Sequence, residues 1–391
     1  MKAIVNGKLY TISHGVINKG TVLVDQGRIV AIGKEIPVPP EAEVIDAAGK
    51  VVTPGLIDAH SHIGLFGEPS VPANNDGNEI TDPVTPQLRG IDSLNPDDPS
   101  FPMVLAAGVT TVFTGPGSGN LIGGTGLAIK MVGRTADEMA IPGTEAMKMA
   151  LGENPKRLYG ERKLMPYTRM GNAAVLREAL VKAQNYMRKS QEAEKDKDKP
   201  ERDLKMEMLG RVLRREMKAR IHAHRADDIM TAIRIAEEFN LDFVIEHATE
   251  GYRIADLLAQ KGVPCVVGPL LMSQSKMELT KVTLENPGLL AKAGVKVAIQ
   301  CDTTSGTRWL GLHAGLAVRE GMDEVLALEA ITRIAAEIIG VDDQLGTLEP
   351  GKQADIVIFT EHPFNTMSLC EIVLINGEIV YQRDSGKSCC C

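Results

Sequence analysis

The residues with the clearest capacity for chemistry are His60 and His62, which end the apolar run 51–62. A buried apolar strand does not usually end in two imidazoles. Side chains two residues apart in a strand point to the same face, so both rings project together from the strand end. Two neutral imidazole nitrogens on one face can bind one metal ion. The pair alone leaves open an alternative, in which one histidine is exposed and the other is hydrogen-bonded inside.

Three further histidines and one aspartate lie at or just beyond the ends of other strand-like runs. His222 and His224 end one run, His247 ends the next, and Asp302 follows the last one. Three or four imidazoles together with one carboxylate are suitable ligands for Zn²⁺ or a similar ion. The sequence therefore predicts a metal site built from several strand ends.

The elements that would bring these residues together are apolar strand-like runs that alternate with helical patterns. Such alternation is typical of parallel β/α units, and eight of them suit a (β/α)₈ TIM barrel of the α/β class. In that fold the active site lies at the carboxyl ends of the strands, where these histidines fall. The predicted strands are the run before His60 and the runs 109–113, 128–132, 146–150, 219–224, 242–247, 263–267 and 295–299.

Short strands broken by turns occupy both ends of the chain, which predicts one small β-sandwich domain formed from the two termini. We expect residues 1–52 and 346–385 to form this domain and residues 53–345 to form the barrel. The last residues, 386–391, end in Cys389–Cys391. We expect a disordered, reduced tail there rather than a soft metal site or a lipidation signal, because the ending lacks the C-a-a-X pattern.

Composition argues against several classes of function. The formal net charge is −8 and no basic stripe stands out, so nucleic acid is not an expected partner. No apolar run approaches the ~18 residues of a membrane span, and residues 1–15 contain no apolar signal core. The cysteines are scattered or terminal and imply no disulfide framework. We therefore expect a cytoplasmic protein.

Three irregular segments interrupt the predicted elements. Residues 64–102, directly after His62, are rich in Pro, Asn and Asp, and we expect them to wall a substrate pocket. Residues 188–203 are densely charged with mixed signs, which indicates a solvated helix–loop–helix excursion. The glycine-rich residues 115–126 lack the Gly-Lys-Ser/Thr ending of a phosphate-binding loop, so we predict a barrel loop that approaches the pocket closely.

Together these pieces resemble the amidohydrolase superfamily, metal-dependent hydrolases built on a (β/α)₈ barrel. The resemblance extends over the whole chain, in matching order and spacing. Within the superfamily the chain looks most like the imidazolonepropionase-related group, which also contains prolidase-like dipeptidases. The matching segments are PGLIDAHSH (54–62), IHAH (221–224), IEH (245–247), IQCD (299–302) and GTLEPGKQAD (346–355).

The resemblance implies a set of metal ligands. His60 and His62 would bind one metal, and His222 and His247 would bind a second ion or the same one. The implied cofactor is one or two divalent metals per chain, with Zn²⁺ the first choice. In the family the first histidine of the pair on the fifth strand is the ligand, which favours His222 over His224. His224 would then contact substrate or hold a ligand in place, unless it is a packed histidine bonded to a backbone carbonyl.

Lys148 lies in the apolar strand 146–150, where an ammonium is costly to bury unless it is paired or modified. Two-metal relatives carry a carboxylated lysine on the fourth strand that bridges both ions, and Lys148 matches that position. Glu153 is a rival ligand, because some relatives bridge with a glutamate. A third alternative pairs Lys148 with a nearby acid and leaves a single metal.

The remaining assignments concern substrate binding, where we place His224, Glu153, Tyr252 and Arg308. Arg308 would bind a substrate carboxylate through two N–H donors. An exposed position at a helix start is the alternative for that residue.

Asp302 is predicted to be a metal ligand and the catalytic proton shuttle, and the alternative is a surface aspartate that caps the next helix. A metal lowers the pKa of bound water so that hydroxide is available at neutral pH. A neighbouring carboxylate can pass the proton to the departing nitrogen. We therefore predict hydrolysis of a C–N bond in a cyclic amide or a dipeptide-like amide. The expected partners are a small-molecule substrate and further copies of the chain in a homo-oligomer, with neither a membrane nor nucleic acid.

Two alternatives stay open from the sequence. Imidazolonepropionase-like hydrolysis, or deamination of an aminated ring, needs the same ligands and a single metal. A catalytically inactive oligomeric scaffold is an alternative of another class. Such relatives typically lose histidines or the final aspartate, and this chain keeps them all.

Overall fold

The computed structural model describes residues 1–193 and 199–383. Its strands form two eight-stranded sheets, one from the middle of the chain and one from both ends. The strands are β1 (Lys2–Tyr10), β2 (Val16–Asp25), β3 (Arg28–Gly33), β4 (Glu43–Asp46), β5 (Val51–Pro54), β6 (Leu56–Ser61), β7 (Val109–Thr114), β8 (Ile122–Lys130), β9 (Ala146–Ala150), β10 (Lys218–Ala223), β11 (Phe243–His247), β12 (Cys265–Val267), β13 (Val297–Ile299), β14 (Ile356–Phe359), β15 (Cys370–Ile375) and β16 (Glu378–Gln382). The helices are α1 (Ser100–Leu105), α2 (Ala136–Met139), α3 (Glu153–Glu161), α4 (Arg169–Glu192), α5 (Leu204–Leu213), α6 (Ala226–Glu238), α7 (Ala255–Gln260), α8 (Asn286–Lys292), α9 (Leu310–Arg319), α10 (Glu324–Ala330) and α11 (Arg333–Ile339).

The middle sheet contains β6 to β13 in sequence order and nearly closes into a barrel. No ladder joins β13 to β6 among the described residues, and separate hydrogen bonds hold this seam instead. Asp58 Oδ2 accepts from the backbone N of Cys301 at 3.2 Å, and the backbone N of His62 donates to Thr303 O at 3.2 Å. The predicted eight-stranded, barrel-like α/β fold is therefore confirmed.

One strand runs against the prediction of an all-parallel barrel. β8 is antiparallel to both of its neighbours, β7 and β9. The connection 115–121 between β7 and β8 is too short for the crossover that parallel strands require, so the chain turns back directly. Residues 122–126, expected to belong to a loop, form the start of β8 instead.

Helix α6 illustrates how the outer helices support the strands that carry the site. Its apolar residues Ile229, Ala232, Ile233 and Ala236 recur every three or four positions and are buried. The helix packs against β10 and β11. Burying one isoleucine side chain contributes about 1.5–3 kcal/mol, so this face stabilises the arrangement of the two strands.

The second sheet draws strands from both chain ends, in the order β16-β15-β14-β5-β1-β2-β3, with β4 beside β1. It has a hydrophobic cluster of its own, which includes Ile4, Val22 and Ile356. The chain passes from this sheet into the barrel at Gly55, where any Cβ would clash with the side chain of Thr110. A separate β-sandwich domain, with the predicted boundaries at 52, 345 and 385, stays a prediction.

The irregular segments are described only in part. Helix α4 ends at Glu192, within the charged stretch 188–203, and α5 begins at Leu204, directly after it. Residues 194–198 lie outside the described residues, so the helix–loop–helix excursion stays a prediction. The terminal Cys389–Cys391 also lie outside them. Among the helices of the described ranges, none combines the length and the apolar character that crossing a membrane demands.

Candidate metal centre

The first ligand group consists of His60, His62 and Asp302. β6 supplies the two histidines at its carboxyl end, and the chain just past β13 supplies the aspartate across the seam. Asp302 Oδ1 lies 3.2 Å from His60 Nε2 and 3.1 Å from His62 Nε2. The three residues offer ligand atoms that all lie within 4.8 Å of one another, close enough to hold one metal ion. Both residue types are suitable metal ligands.

The second ligand group consists of His222, His224 and His247, all of them buried. β10 and the residue after it supply the first two, and the neighbouring strand β11 supplies the third at its last position. The ring centroids lie 4.4 Å apart for His222 and His247 and 4.6 Å apart for the other two pairs. His60 links the groups, since its ring centroid lies 5.2 Å from that of His247.

Backbone carbonyls fix the available nitrogen in two of these rings. His62 Nδ1 donates to Gly115 O at 2.7 Å, and His247 Nδ1 donates to Gly268 O at 2.9 Å. A carbonyl only accepts, so each ring carries its proton on Nδ1 and presents the lone pair of Nε2. The Nε2 lone pair of His62 then faces the carboxylate of Asp302. His62 Nε2 and Asp302 Oδ1 are then two acceptors 3.1 Å apart, an arrangement that requires a proton or a metal cation between them.

Several nitrogens of the second ligand group have no hydrogen-bond partner among the described residues. These atoms are both ring nitrogens of His222 and Nε2 of His247, and all three are buried. Unpaired buried polar atoms are costly. Neutral imidazole nitrogens are also common ligands of zinc and similar ions. The donor atoms of both groups therefore fit a divalent metal.

The ionisation of these side chains agrees with a metal-binding role. Burial lowers the pKa of His224 to about 4 and lowers the pKa values of His222 and His247 well below the ordinary value. With such low pKa values the three imidazoles are neutral at neutral pH, and neutral imidazole is the form that binds metal. Burial would raise the pKa of Asp302, but the surrounding imidazoles, His247 foremost, hold it well below the ordinary value. Asp302 is therefore a carboxylate at neutral pH.

Local backbone geometry also marks the site. His247 has φ 68° and Asp302 has φ 53°, in the left-handed region that residues other than glycine seldom adopt. Such strain is concentrated at functional sites, where the surrounding structure maintains it. Gly268, whose carbonyl holds His247, has φ +138°, and a Cβ there would clash with the backbone O of Gln300. Glycine is therefore required at that position.

Lys148 lies beside the first ligand group, and its role as a metal bridge stays a prediction. Its Nζ is 3.5 Å from His60 Nε2, and the side chain is buried in β9. Burial lowers the pKa of Lys148 to about 8, against the attraction of Glu246 and Asp302.

Two charged residues that sequence reasoning did not include lie behind His60. Glu246 Oε2 is 2.9 Å from His60 Nδ1, and Glu246 Oε1 is 2.6 Å from Arg220 Nε. Arg220 and Glu246 are buried in the strands β10 and β11. The sequence does contain an indication of this pair, because Arg220 and Glu246 are oppositely charged residues inside apolar strands. Like Lys148, each of them is costly to bury unless it is paired.

Glu278 and Lys276, from the loop between β12 and α8, lie beside the second ligand group. Glu278 Oε1 is 3.8 Å from His222 Nε2 and 3.7 Å from His224 Nε2. Lys276 Nζ pairs with the same oxygen at 2.7 Å and lies 3.4 Å from His224 Nε2. No periodic pattern in the sequence distinguishes these two loop residues.

Glu153, the rival ligand, lies at the start of α3 and holds this loop. Its backbone N donates to Glu278 Oε2 at 2.9 Å, and its own Oε2 accepts from the backbone N of Glu278 at 3.3 Å. The structure thus brings Glu153 to the loop, whereas Lys148 comes to the first ligand group.

The other predicted substrate-binding residues lie in different surroundings. His224 Nδ1 is 2.7 Å from Thr249 Oγ1, so the partner of this ring is a hydroxyl and not a backbone carbonyl. The backbone N of Tyr252 donates to an asparagine at the start of α8. Arg308 lies 3.3 Å from Met103 Sδ and 5.1 Å from the centroid of the Trp309 ring. No recorded contact of Tyr252 or Arg308 within the described ranges is with either ligand group, and their substrate roles stay predictions.

The long segment 64–102 lines a cavity of about 440 Å³ together with Pro116 and Gly123. Two lining residues are neighbours of this region: Pro116 follows Gly115, whose carbonyl lies 2.7 Å from His62 Nδ1, and Gly123 faces the side chain of Lys148. The position agrees with the expectation that this segment walls a substrate pocket.

Comparison with known proteins identifies close relatives. The model of the amidohydrolase family matches residues 51–380. The crystal structure of an amidohydrolase from Thermotoga maritima is 45% identical, with a TM-score of 0.94, over 98% of this chain and all of that one. An imidazolonepropionase from Geobacillus kaustophilus is 29% identical over 88% of this chain and 84% of its own length. Amidohydrolase tasK from Hapsidospora irregularis is 29% identical over 92% of this chain, and the match spans only 39% of that protein.

Proposed function

Because the chain belongs to the amidohydrolase family, we propose that it hydrolyses a C–N bond in a small cyclic amide or dipeptide-like amide, with one or two divalent metal ions. The observation that carries this proposal is the meeting of two ligand groups at the carboxyl ends of the barrel strands. Zn²⁺ is the first candidate, since neutral imidazoles with one carboxylate are a ligand set that zinc accepts. Assembly as a homo-oligomer is also part of the proposal.

In the proposed site His60, His62 and Asp302 would hold one metal, and His222 and His247 would hold a second metal or complete the ligand shell of the first. Lys148, 3.5 Å from His60 Nε2, is the proposed bridge and carries a carboxylate on Nζ in that role. His224 is proposed to contact substrate through Nε2, because Thr249 occupies its other nitrogen.

A bound divalent metal would lower the pKa of water and polarise the amide carbonyl. The contribution of the chain itself centres on Asp302, whose carboxylate lies between the two histidines of its group and is partly exposed, at 24%. In this role Asp302 accepts a proton from the attacking water and delivers it to the departing nitrogen. Amines leave poorly unless they are protonated, so one carboxylate that performs both transfers accelerates the reaction.

Two substrate classes follow from the family. A relative named imidazolonepropionase aligns over most of both chains, which favours a cyclic amide of the imidazolone kind. The cavity lined by the segment 64–102 is large enough for a small molecule of either class. Its lining includes Asp76, Glu79, Arg89 and Asp92, so the substrate is expected to carry polar groups.

The test is a hydrolysis assay on protein stripped with a chelator and reloaded with Zn²⁺, Mn²⁺ or Co²⁺. The panel contains Xaa-Pro dipeptides, imidazolonepropionate and an aminated ring that would release ammonia. Metal-dependent cleavage of a dipeptide or an imidazolone supports the proposal. Release of ammonia alone would replace it with a deaminase, and inactivity of the reloaded protein on an extended panel of amides would favour a scaffold.

A further inference from the structure

A buried line of three side chains, Arg220, Glu246 and His60, lies beneath the first ligand group. Glu246 Oε1 is 2.6 Å from Arg220 Nε, and Glu246 Oε2 is 2.9 Å from His60 Nδ1. The three residues are 1%, 0% and 3% exposed. Arg220 and Glu246 have no solvent to compensate their opposite charges, so each depends on the other.

Burying these charges is costly, which argues for a purpose beyond packing. A buried ion pair is often no more stabilising than apolar residues of the same volume. The guanidinium of Arg220, whose Nε lies 2.6 Å from Glu246 Oε1, pairs with Glu246 as a carboxylate. A permanent negative charge therefore lies against one particular nitrogen of His60.

Arg220 holds this carboxylate in place. Its guanidinium donates to the backbone O of Ala59, the residue before His60, and lies 3.9 Å from the centroid of the Phe113 ring. These contacts reach β6 and β7 from β10, while Glu246 comes from β11. The carboxylate is thus braced against the same strand that carries the histidine.

The contact also determines which nitrogen His60 can offer. A carboxylate only accepts, so the proton of a neutral His60 ring lies on Nδ1 and the lone pair lies on Nε2. Nε2 is the atom that faces Asp302 Oδ1 at 3.2 Å. In His62 a backbone carbonyl has the same effect, but in His60 the partner is charged and therefore also strengthens the donor nitrogen.

We propose that Glu246, braced by Arg220, is a positioning residue that fixes the orientation and tautomer of His60 and thereby sets the metal affinity of the first ligand group. This proposal rests on the proposed metal-dependent function. Neither Glu246 nor Arg220 is a metal ligand in it, and both act only through His60.

The test measures Zn²⁺ and Co²⁺ affinity of the full chain by competition with a chromophoric chelator. Glu246→Gln keeps the shape and removes the charge, and it is expected to weaken metal binding by about tenfold to a hundredfold. The matched control is Asp355→Asn, which breaks a different buried ion pair. In that pair Asp355 Oδ2 lies 2.5 Å from Lys130 Nζ. That variant is expected to lose stability similarly and to keep its metal affinity.

A second pair of variants covers the case in which a lone buried charge prevents folding. Arg220→Met with Glu246→Leu removes both charges, and Lys130→Met with Asp355→Leu is its control. Such replacements usually preserve stability. The first double variant is expected to fold and bind metal weakly, and its Co²⁺ absorption spectrum is expected to change, which packing alone would not cause.

The outcomes separate the two proposals. Weaker binding and an altered Co²⁺ spectrum confined to the Glu246 variants support the positioning role. Affinity within about threefold of wild type in both Glu246 variants would overturn it and leave the hydrolase proposal intact. Wild-type protein that binds no metal would overturn both.

Discussion

The first and second ligand groups differ in the charges that surround them. The first contains the carboxylate of Asp302, and a further carboxylate, Glu246, lies 2.9 Å behind His60. The second contains imidazoles alone. Its nearest recorded carboxylate, Glu278, lies 3.7 Å from the closest ring nitrogen and is paired with Lys276.

This difference indicates a division of labour. Carboxylates near a site favour a cation, whereas an ammonium beside it opposes one. Lys148 Nζ lies 3.5 Å from His60 Nε2, but in its proposed carboxylated form Lys148 would add a negative charge to the first ligand group. We therefore expect the first ligand group to provide most of the metal affinity and the second to complete the shell or to bind a weaker ion.

The largest effect is expected from Asp302→Asn. The amide keeps the size of the side chain but cannot accept and deliver a proton, so kcat is expected to fall by about a hundredfold to ten-thousandfold. Steady-state kinetics on the substrate found in the panel measure this. The control is Asp323→Asn, at the cap of α10, where asparagine caps equally well. A kcat within about tenfold of wild type would remove Asp302 from the chemistry.

The second prediction sets the two groups against each other directly. His60→Asn is expected to weaken metal binding more than His222→Asn, because only His60 has carboxylates on both of its ring nitrogens. Isothermal titration with Zn²⁺ of the two variants measures the difference. Equal losses, or a larger loss in His222→Asn, would reverse the proposed order of the two groups.

The third prediction concerns the ammonium beside the second ligand group. Lys276→Met removes a positive charge 3.4 Å from His224 Nε2 and frees Glu278, so metal binding is expected to tighten by about tenfold. Lys281→Met is the matched control, since that lysine belongs to the same loop, is half-exposed and pairs loosely with Glu250. Unchanged or weaker binding in Lys276→Met would show that this ammonium does not oppose the metal.

The smallest effect is expected from Thr249→Val. The change removes the hydroxyl 2.7 Å from His224 Nδ1 without altering the shape, at a cost of about 1 kcal/mol in unfolding free energy. Because Thr249 holds a proposed substrate-contacting ring, KM is expected to rise while metal content stays constant. Urea denaturation and kinetics measure the two quantities. A fall in metal content would make His224 a ligand instead.

The two groups also show what the sequence can predict. His60, His62, His222 and Asp302 were identifiable because strand alternation and the carboxyl ends of barrel strands are properties of the local sequence. The structure brings all four to one end of the barrel. The same pattern located the eight strands of the middle sheet.

Other features depend on information that local patterns do not contain. The composition of an apolar strand does not tell whether it pairs parallel or antiparallel with its neighbours. The antiparallel pairing of β8 could therefore be recognised only from the short connection that precedes it. The pairing of Arg220 with Glu246 needed the observation that opposite charges lie in neighbouring apolar strands. Lys276 and Glu278 come from an irregular loop, and only the folded chain brings them to the histidines.

The most direct test of the central claim is the metal content of wild-type protein, loaded with Zn²⁺, dialysed and analysed by elemental mass spectrometry. Our account predicts between one and two equivalents retained per chain, and about one when the weaker ion dissociates during dialysis. Retention of no metal after loading would contradict the account, because the converging lone pairs of the two ligand groups would then serve another purpose.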